Sequence, residues 1–257
     1  MRTLRVFVAL LIAGSSIIEV DAQTTQAKPQ PPRPFVENGF VSLNAGGLFA
    51  SDQGSERILF EANAETGTLD ADYPGGAAPV FDGAFGLLVH RQIGVGLSVS
   101  RSSRSGSALV RAQVPHPFFD NRHRAVEGDA TDMNRSETAV HAQIYYELRH
   151  RGPWRVRVFA GPAYVRVEQA LVTGVDTQET YPFDTAEFRR AITQEAKGSG
   201  FGVGVGLDVS RMFTRRAGLG AVVRYTAASI DLNAPGGSDV STDAGGLTAG
   251  LGLRVAF

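Results

Sequence analysis

The sequence predicts an all-β chain: an eight-stranded antiparallel up-and-down transmembrane β-barrel with short periplasmic turns and long extracellular loops. Three observations predict it. Eight segments alternate large apolar residues with small or polar ones at a period of two. The links between those segments alternate short and long, and the face opposite the apolar one is mostly Gly, Ser, Ala and Thr rather than Lys, Glu and Asp. A soluble sandwich or barrel would meet water with a charged outer face, so the small-residue face fits a narrow lumen and the apolar face fits lipid.

The N-terminus sets the compartment. Arg2 and Arg5 precede an apolar run from Val6 to Gly14, and Val20 and Ala22 suit cleavage before Gln23. The run is too short for the ~20 residues of a spanning helix, so residues 1–22 read as a signal peptide. Residues 23–37 are polar and proline-rich and read as a periplasmic linker, and 38–257 as the barrel. The chain has no cysteine, so an exported fold must be stable without disulfides. Its formal net charge of −1 gives no reason to expect a nucleic-acid partner.

From Asn38 onward the strands follow in order. The first sets Val41, Leu43, Ala45 and Phe49 against Ser42, Asn44 and Gly46. Phe81, Phe85, Leu87 and Val89 then Ile93, Val95, Leu97 and Val99 form a pair joined through Arg91-Gln92, the signature of a hairpin. Val140, Ala142, Ile144, Tyr146 and Leu148 pair with Trp154, Val156, Val158 and Ala160 in a second hairpin. Phe201, Val203, Val205, Leu207 and Val209 pair with Leu219, Ala221, Val223 and Tyr225 in a third, and "LTAGLGLRVAF" supplies the closing strand. The long links cover roughly residues 50–79, 104–137, 168–199 and 231–244. "RILFEANAE", "SALVRAQV" and "YVRVEQALV" within them are expected to prolong the barrel strands as a collar; ten spanning strands result only if "SALVRAQV" also crosses.

Charges on spanning strands must turn inward, because Arg or Lys facing lipid costs about 2–4 kcal/mol at the bilayer midplane. The expected lumen network is His141, Gln143, Tyr145, Glu147, Arg149, Arg155, Arg157, Asp208, Arg224 and Arg254. It is read as self-neutralising and plugging the lumen, with an ion-selective constriction as the alternative. Phe40, Phe49, Phe81, Tyr146, Trp154, Tyr164, Tyr225 and Phe257 are assigned to the interfacial girdles. The second loop holds an exposed cluster of His116, Phe118, Phe119, Asp120, Arg122, His123 and Arg124, with the phenylalanines expected to pack on the barrel rim. Its arginines and phenylalanines could also meet lipopolysaccharide, while His116, Asp120 and His123 match no tight metal motif. "QETYPFDTAEFRRAI" reads as a turn and one or two helical turns capped by Asp184 or Thr185.

No catalytic constellation, metal site or cofactor motif stands out. There is no Gly-x-Ser-x-Gly, and the glycine spacing of "GFGVGVG" leads into strand rather than helix. Taken together, the signal peptide, the eight alternating strands, the loop asymmetry and the final strand resemble the small Gram-negative outer-membrane β-barrels of the OmpA/OmpX/OmpW-like group. The resemblance implies an assembly signal at Leu251, Leu253, Val255 and Phe257, recognised by the barrel-assembly machinery. It also implies an outer-membrane location and contact with outer-membrane lipid and lipopolysaccharide. No peptidoglycan-binding domain like that of the longer members follows the barrel, so the resemblance carries no cell-wall anchoring role. The expected function is a non-enzymatic, monomeric envelope protein with a structural or surface-interaction role. A narrow channel for small or apolar molecules and a lipid-modifying outer-membrane enzyme are the alternatives.

Overall fold

The computed structural model describes residues 38–50, 54–73, 75–149, 152–233 and 239–257; the signal-peptide and linker assignments fall on residues 1–37, outside the described residues. Ten strands follow one another: β1 (Gly39–Ala50), β2 (Gly54–Ala62), β3 (Glu65–Tyr73), β4 (Gly76–His90), β5 (Ile93–Pro115), β6 (His123–Arg149), β7 (Trp154–Glu179), β8 (Ala186–Met212), β9 (Ala217–Asn233) and β10 (Asp239–Ala256). All ten lie in one antiparallel sheet, but only eight close a ring, in the order β1, β4, β5, β6, β7, β8, β9, β10 and back to β1. The ring closes where Val41 faces Val255 and Leu43 faces Leu253, so no strand edge is left unpaired at the level of the apolar band.

Alternation sorts the residues as the pleat requires. Leu43, Val95, Leu97, Ile144, Val203, Leu219, Leu251 and Leu253 are exposed on the outer surface, while Ser42, Asn44, Asp82, Ser98, Arg157, Asp208, Ser210, Arg224 and Arg254 are buried inside. Leu251, at 70 % exposure, and Arg254, at 1 %, belong to one strand three residues apart. Only a bilayer makes that inversion favourable, and the chain is a transmembrane barrel. Small residues let the lumen hold bulk elsewhere: a Cβ at Gly94 would collide with the ring of Tyr145, which fills the space instead.

The girdle assignment needs one correction. Phe49, Phe81, Tyr146, Trp154, Tyr164, Tyr225 and Phe257 are outward and exposed, but Phe40 is 6 % exposed and lies inside, its ring edge-on to Tyr145 with centroids 5.4 Å apart. Phe40 alternates with Val41 and so shares the parity of Ser42 and Asn44. Together with Phe159 and Val222, Phe40 and Tyr145 form a small apolar plug.

About 9–11 residues suffice to cross a bilayer at a barrel tilt. The strands β5, β6, β7 and β8 contain 23, 27, 26 and 27 residues. The surplus forms a second layer of structure beyond the long-loop rim. There β4 leaves β5 at Ser102, and β3 takes over that edge, with Asp70 facing Arg111. Likewise β6 leaves β7 at Arg135, while β7 and β8 continue as a ribbon to the Glu179–Ala186 pair. The result is a four-stranded sheet, β2-β3-β5-β6, and the β7-β8 ribbon, sharing the apolar residues Leu69, Ala71, Val110, Ala112, Val126, Met133 and Val172. Two sheets enclosing a common apolar cluster are a sandwich in miniature. The backbone N–H of Val172 donates to the Tyr73 hydroxyl at 2.9 Å and ties β3 to β7.

Of three loop expectations, the one for "SALVRAQV" is met and the other two are corrected. "RILFEANAE" does not prolong a barrel strand; it forms β2 and the turn into β3, with Asn63 and Ala64 both at positive φ. "SALVRAQV" lies in the extension of β5, paired with β3 and β6, so the ring holds eight strands and not ten. "TAEFRRAI" is not helical but opens β8, because Ala186 packs into the apolar cluster and Phe188 packs against it.

Candidate functional site

Two regions concentrate the polar and aromatic side chains of interest: the lumen, and the tip of the extension beyond the long-loop rim.

In the lumen, parity brings charges from six strands together. Arg254 on β10 donates from Nε to Asp208 at 2.8 Å, and its Nη2 bonds the same carboxylate. Its Nη1 reaches Asn44 Oδ1 at 2.6 Å. Asn44 in turn donates to Asp82 at 2.8 Å, and Asp82 accepts from Arg224 Nη1 at 2.7 Å. On the other flank Arg157 donates to Glu147 at 2.8 Å and lies 3.8 Å from Asp208. The same Arg157 guanidinium stands 4.0 Å over the ring of Phe40, and Arg224 stands 5.4 Å from the ring of Phe159. The space left among these groups is about 20 Å³, bounded by Phe40, Asp82, Gln143, Arg157, Asp208 and Arg224. That is room for one water molecule.

Of the residues expected in this network, His141, Gln143, Tyr145, Glu147, Arg157, Asp208, Arg224 and Arg254 are buried in the lumen. The His141 ring lies 3.1 Å from the Thr226 hydroxyl. Arg155 stands at the edge, half-buried, 3.5 Å from Glu147. Arg149 lies in β6 with its side chain outside the described residues. Sequence reasoning missed Asp82 and Asn44 as the links between Arg224 and Arg254, although both lie on the inward parity of their strands. It also missed an upper polar layer. Arg135 donates to Glu137 at 2.9 Å, to Gln169 at 2.9 Å and to the Asp243 carbonyl at 3.0 Å. Glu137 also accepts the backbone N–H of Gly245, at 3.2 Å. Gly245 sits at a φ of +95° and so has a backbone that a side chain would strain. These residues lie in what reads as loop, and only the long strands carry them over the lumen.

At the tip of the extension the β5–β6 and β7–β8 connections meet. Phe118, Phe119, Asp120, Arg122 and His123 are exposed as expected, but His116 (3 % exposed) and Arg124 (4 %) are buried and do not belong to an exposed cluster. Arg124 is held by the Pro115 carbonyl at 2.9 Å, Glu179 at 2.6 Å and the Phe183 carbonyl at 3.1 Å, and so stitches the two connections together. His116 Nδ1 accepts from the Phe118 backbone N–H at 3.1 Å, and its ring lies 4.8 Å from that of Phe119. The phenylalanines do not pack on the barrel rim. Phe118 (70 % exposed) contacts Phe183, whose ring is also edge-on to Tyr181 (84 % exposed). Arg122 pairs with Asp184 at 2.9 Å beside them. His123 turns away to the Thr66 carbonyl at 3.2 Å.

Below the tip, Tyr73 and Glu56 are perturbed by burial. Burial pushes the Tyr73 phenol up to about 12, and burial raises the Glu56 carboxyl above its ordinary value, partly offset by its hydrogen bond with Tyr73.

No protein-family model matches the chain, and no curated protein matches it. Among solved structures it is similar to the outer membrane protein OprG from Pseudomonas aeruginosa (12 % identity, 86 % of this chain and 96 % of that one, TM-score 0.46). It is also similar to Neisserial surface protein A (12 % identity, 85 % and 95 %, TM-score 0.41) and to the outer membrane protease OmpT from Escherichia coli (12 % identity, 86 % and 97 %, TM-score 0.46).

Proposed function

We propose that this chain is a non-enzymatic, monomeric protein of the Gram-negative outer membrane, exported through a cleaved signal peptide. Its plugged barrel anchors a surface-exposed β-sandwich used for interaction at the cell envelope. The observation that carries this reading is the lumen-crossing network of Asp82, Arg224, Asn44, Arg254, Asp208, Arg157 and Glu147, which leaves about 20 Å³. A conducting pore needs a continuous wet path, and this arrangement favours an anchor over a channel. The extension supports the interaction role. Its own apolar cluster and the Arg124 stitch hold Phe118, Phe119 and Tyr181 out toward solvent, away from any core. The engagement of His116 Nδ1 by a backbone N–H speaks against its use as a general base for lipid hydrolysis. Lipopolysaccharide surrounds the long-strand side, and the β10 pattern Leu251, Leu253, Val255 and Phe257 is offered to the assembly machinery.

Because the chain has no cysteine, topology can be tested with single reporters. Phe118→Cys should react with a membrane-impermeant maleimide on intact cells, and Thr214→Cys only after lysis. Labelling of both positions on intact cells, or of Thr214→Cys alone, overturns the reading.

A further inference from the structure

The two ends of the barrel differ sharply in charge. The links on the long-loop side, residues 50–79, 101–137, 166–200 and 229–245, hold twenty acidic residues against eleven basic ones. The opposite end is inverted: residues 88–92, 149–155 and 211–217 hold seven arginines (Arg91, Arg149, Arg151, Arg155, Arg211, Arg215 and Arg216) and no Asp or Glu. Arg155 is directed to Glu147 at the lumen edge. Arg91, Arg211, Arg215 and Arg216 are exposed at the rim.

Arg211 stands where the aromatic girdle ends. Trp154 faces Arg211 in the β7–β8 register, and the Arg211 guanidinium lies 5.8 Å from the Trp154 ring and 5.9 Å from the Phe213 ring. Trp154 and Phe213 are themselves exposed. The backbone bond from Met212 N–H to the Pro153 carbonyl, at 2.8 Å, locks the two turns side by side. Aromatic rings at the acyl boundary with guanidinium groups just beyond them match a phospholipid in outline: rings beside the glycerol and upper acyl chain, cations at the phosphate.

We propose that this rim, centred on Arg211, Trp154, Phe213, Arg215 and Arg216, binds anionic phospholipid of the leaflet it faces, in preference to zwitterionic phospholipid. Zwitterionic headgroups carry a compensating cation that an arginine-rich rim repels, whereas phosphatidylglycerol offers a phosphate with no such cation. Each arginine near an anionic surface adds attraction that salt screens. The inference rests on the membrane-barrel reading.

Trp154 is the only tryptophan of the chain and lies within the patch, so it reports the neighbouring lipid directly. The protein is refolded into mixed phosphatidylcholine and phosphatidylglycerol vesicles in which one lipid or the other carries brominated acyl chains, and quenching of Trp154 is compared at equal mole fraction. The expected result is a relative affinity for phosphatidylglycerol at least about threefold above that for phosphatidylcholine, falling toward unity near 1 M salt, where the screening length is about 3 Å. In Arg211→Gln/Arg215→Gln/Arg216→Gln the preference should vanish. Arg215→Gln/Arg216→Gln, which leaves the Arg211 ring contacts intact, should lower it part of the way. Equal quenching by the two lipids in the unsubstituted protein, or a preference that survives the triple substitution, overturns the proposal. Failure to insert at all, seen as the absence of a gel shift between boiled and unboiled samples, overturns the barrel reading instead.

Discussion

Replacing Arg254 by methionine removes one guanidinium that serves Asp208 through two nitrogens and Asn44 through a third. Methionine keeps most of the volume, so the cost comes from the charge left behind. Asp208 would be left with Arg157, at 3.8 Å, as its ion-pair neighbour among the described residues, and Asn44 Oδ1 would lose its guanidinium donor. Breaking a buried pair from one side costs about 3–5 kcal/mol, because the remaining ion is neither solvated nor paired. Arg254→Met should therefore lose about 3–5 kcal/mol in urea unfolding from lipid vesicles, followed by the gel shift of the folded barrel. Adding Asp208→Leu should recover part of that loss, because the orphaned carboxylate goes with it. The double variant should then be more stable than the sum of the two single losses by about 1–3 kcal/mol. A loss below about 1 kcal/mol for Arg254→Met, or strictly additive effects, would refute the view that the lumen is filled by mutually dependent ions.

Three further outcomes are expected. Leu69→Ala, at a fully buried position of the extracellular cluster, should cost the extension about 2–5 kcal/mol and expose it to protease while the gel shift of the barrel persists; simultaneous loss of both would show one cooperative unit. The Tyr73 phenol is raised from 10.0 to about 12, so the neutral form is favoured by folding. Its contribution is complete below about pH 10 and is lost as the pH rises toward about 12. Protease sensitivity of the extension should rise across that window, and Tyr73→Phe should flatten the rise. Phe257 stacks on Phe85 with centroids 6.0 Å apart at the short-turn rim. Phe257→Ala should reduce the folded yield in cells more than refolding of the purified chain; equal reductions would place its effect in packing rather than in recognition by the assembly machinery.

The ring was legible because lipid imposes a strict period of two on every spanning strand, and the short links at Arg91-Gln92, between Arg149 and Trp154, and at residues 213–216 punctuate it. The same rule assigned the lumen charges. It would also have assigned Phe40, which alternates with Val41; bulk suggested a girdle residue where parity indicates a lumen residue. Beyond the membrane that constraint disappears. The β2–β3 hairpin turns on Asn63-Ala64, both at positive φ, where the usual sequence signal would be Asn-Gly. In β7–β8 the pairing shifts register between Val172 and Gly174 and again between Asp176 and Thr177, which breaks the alternation that would have marked β8 as strand. The tip reads as uniformly polar and aromatic, yet Arg124 is buried because Glu179 and two carbonyls, all distant in sequence except Pro115, converge on it. Long-range convergence of that kind leaves no local pattern.

The claim at the centre of this account is that the ion-pair network and the apolar plug of Phe40, Tyr145 and Phe159 together close the lumen. Single-channel recording in a planar bilayer tests it most directly. The unsubstituted protein, inserted and verified by its gel shift, should give no steady openings, and Arg157→Ala/Arg224→Ala should give at most brief ones, since Phe40, Tyr145 and Phe159 remain in the way. Steady openings of the unsubstituted barrel that disappear when Arg155 and Arg157 are neutralised would contradict the account and assign the protein as a channel.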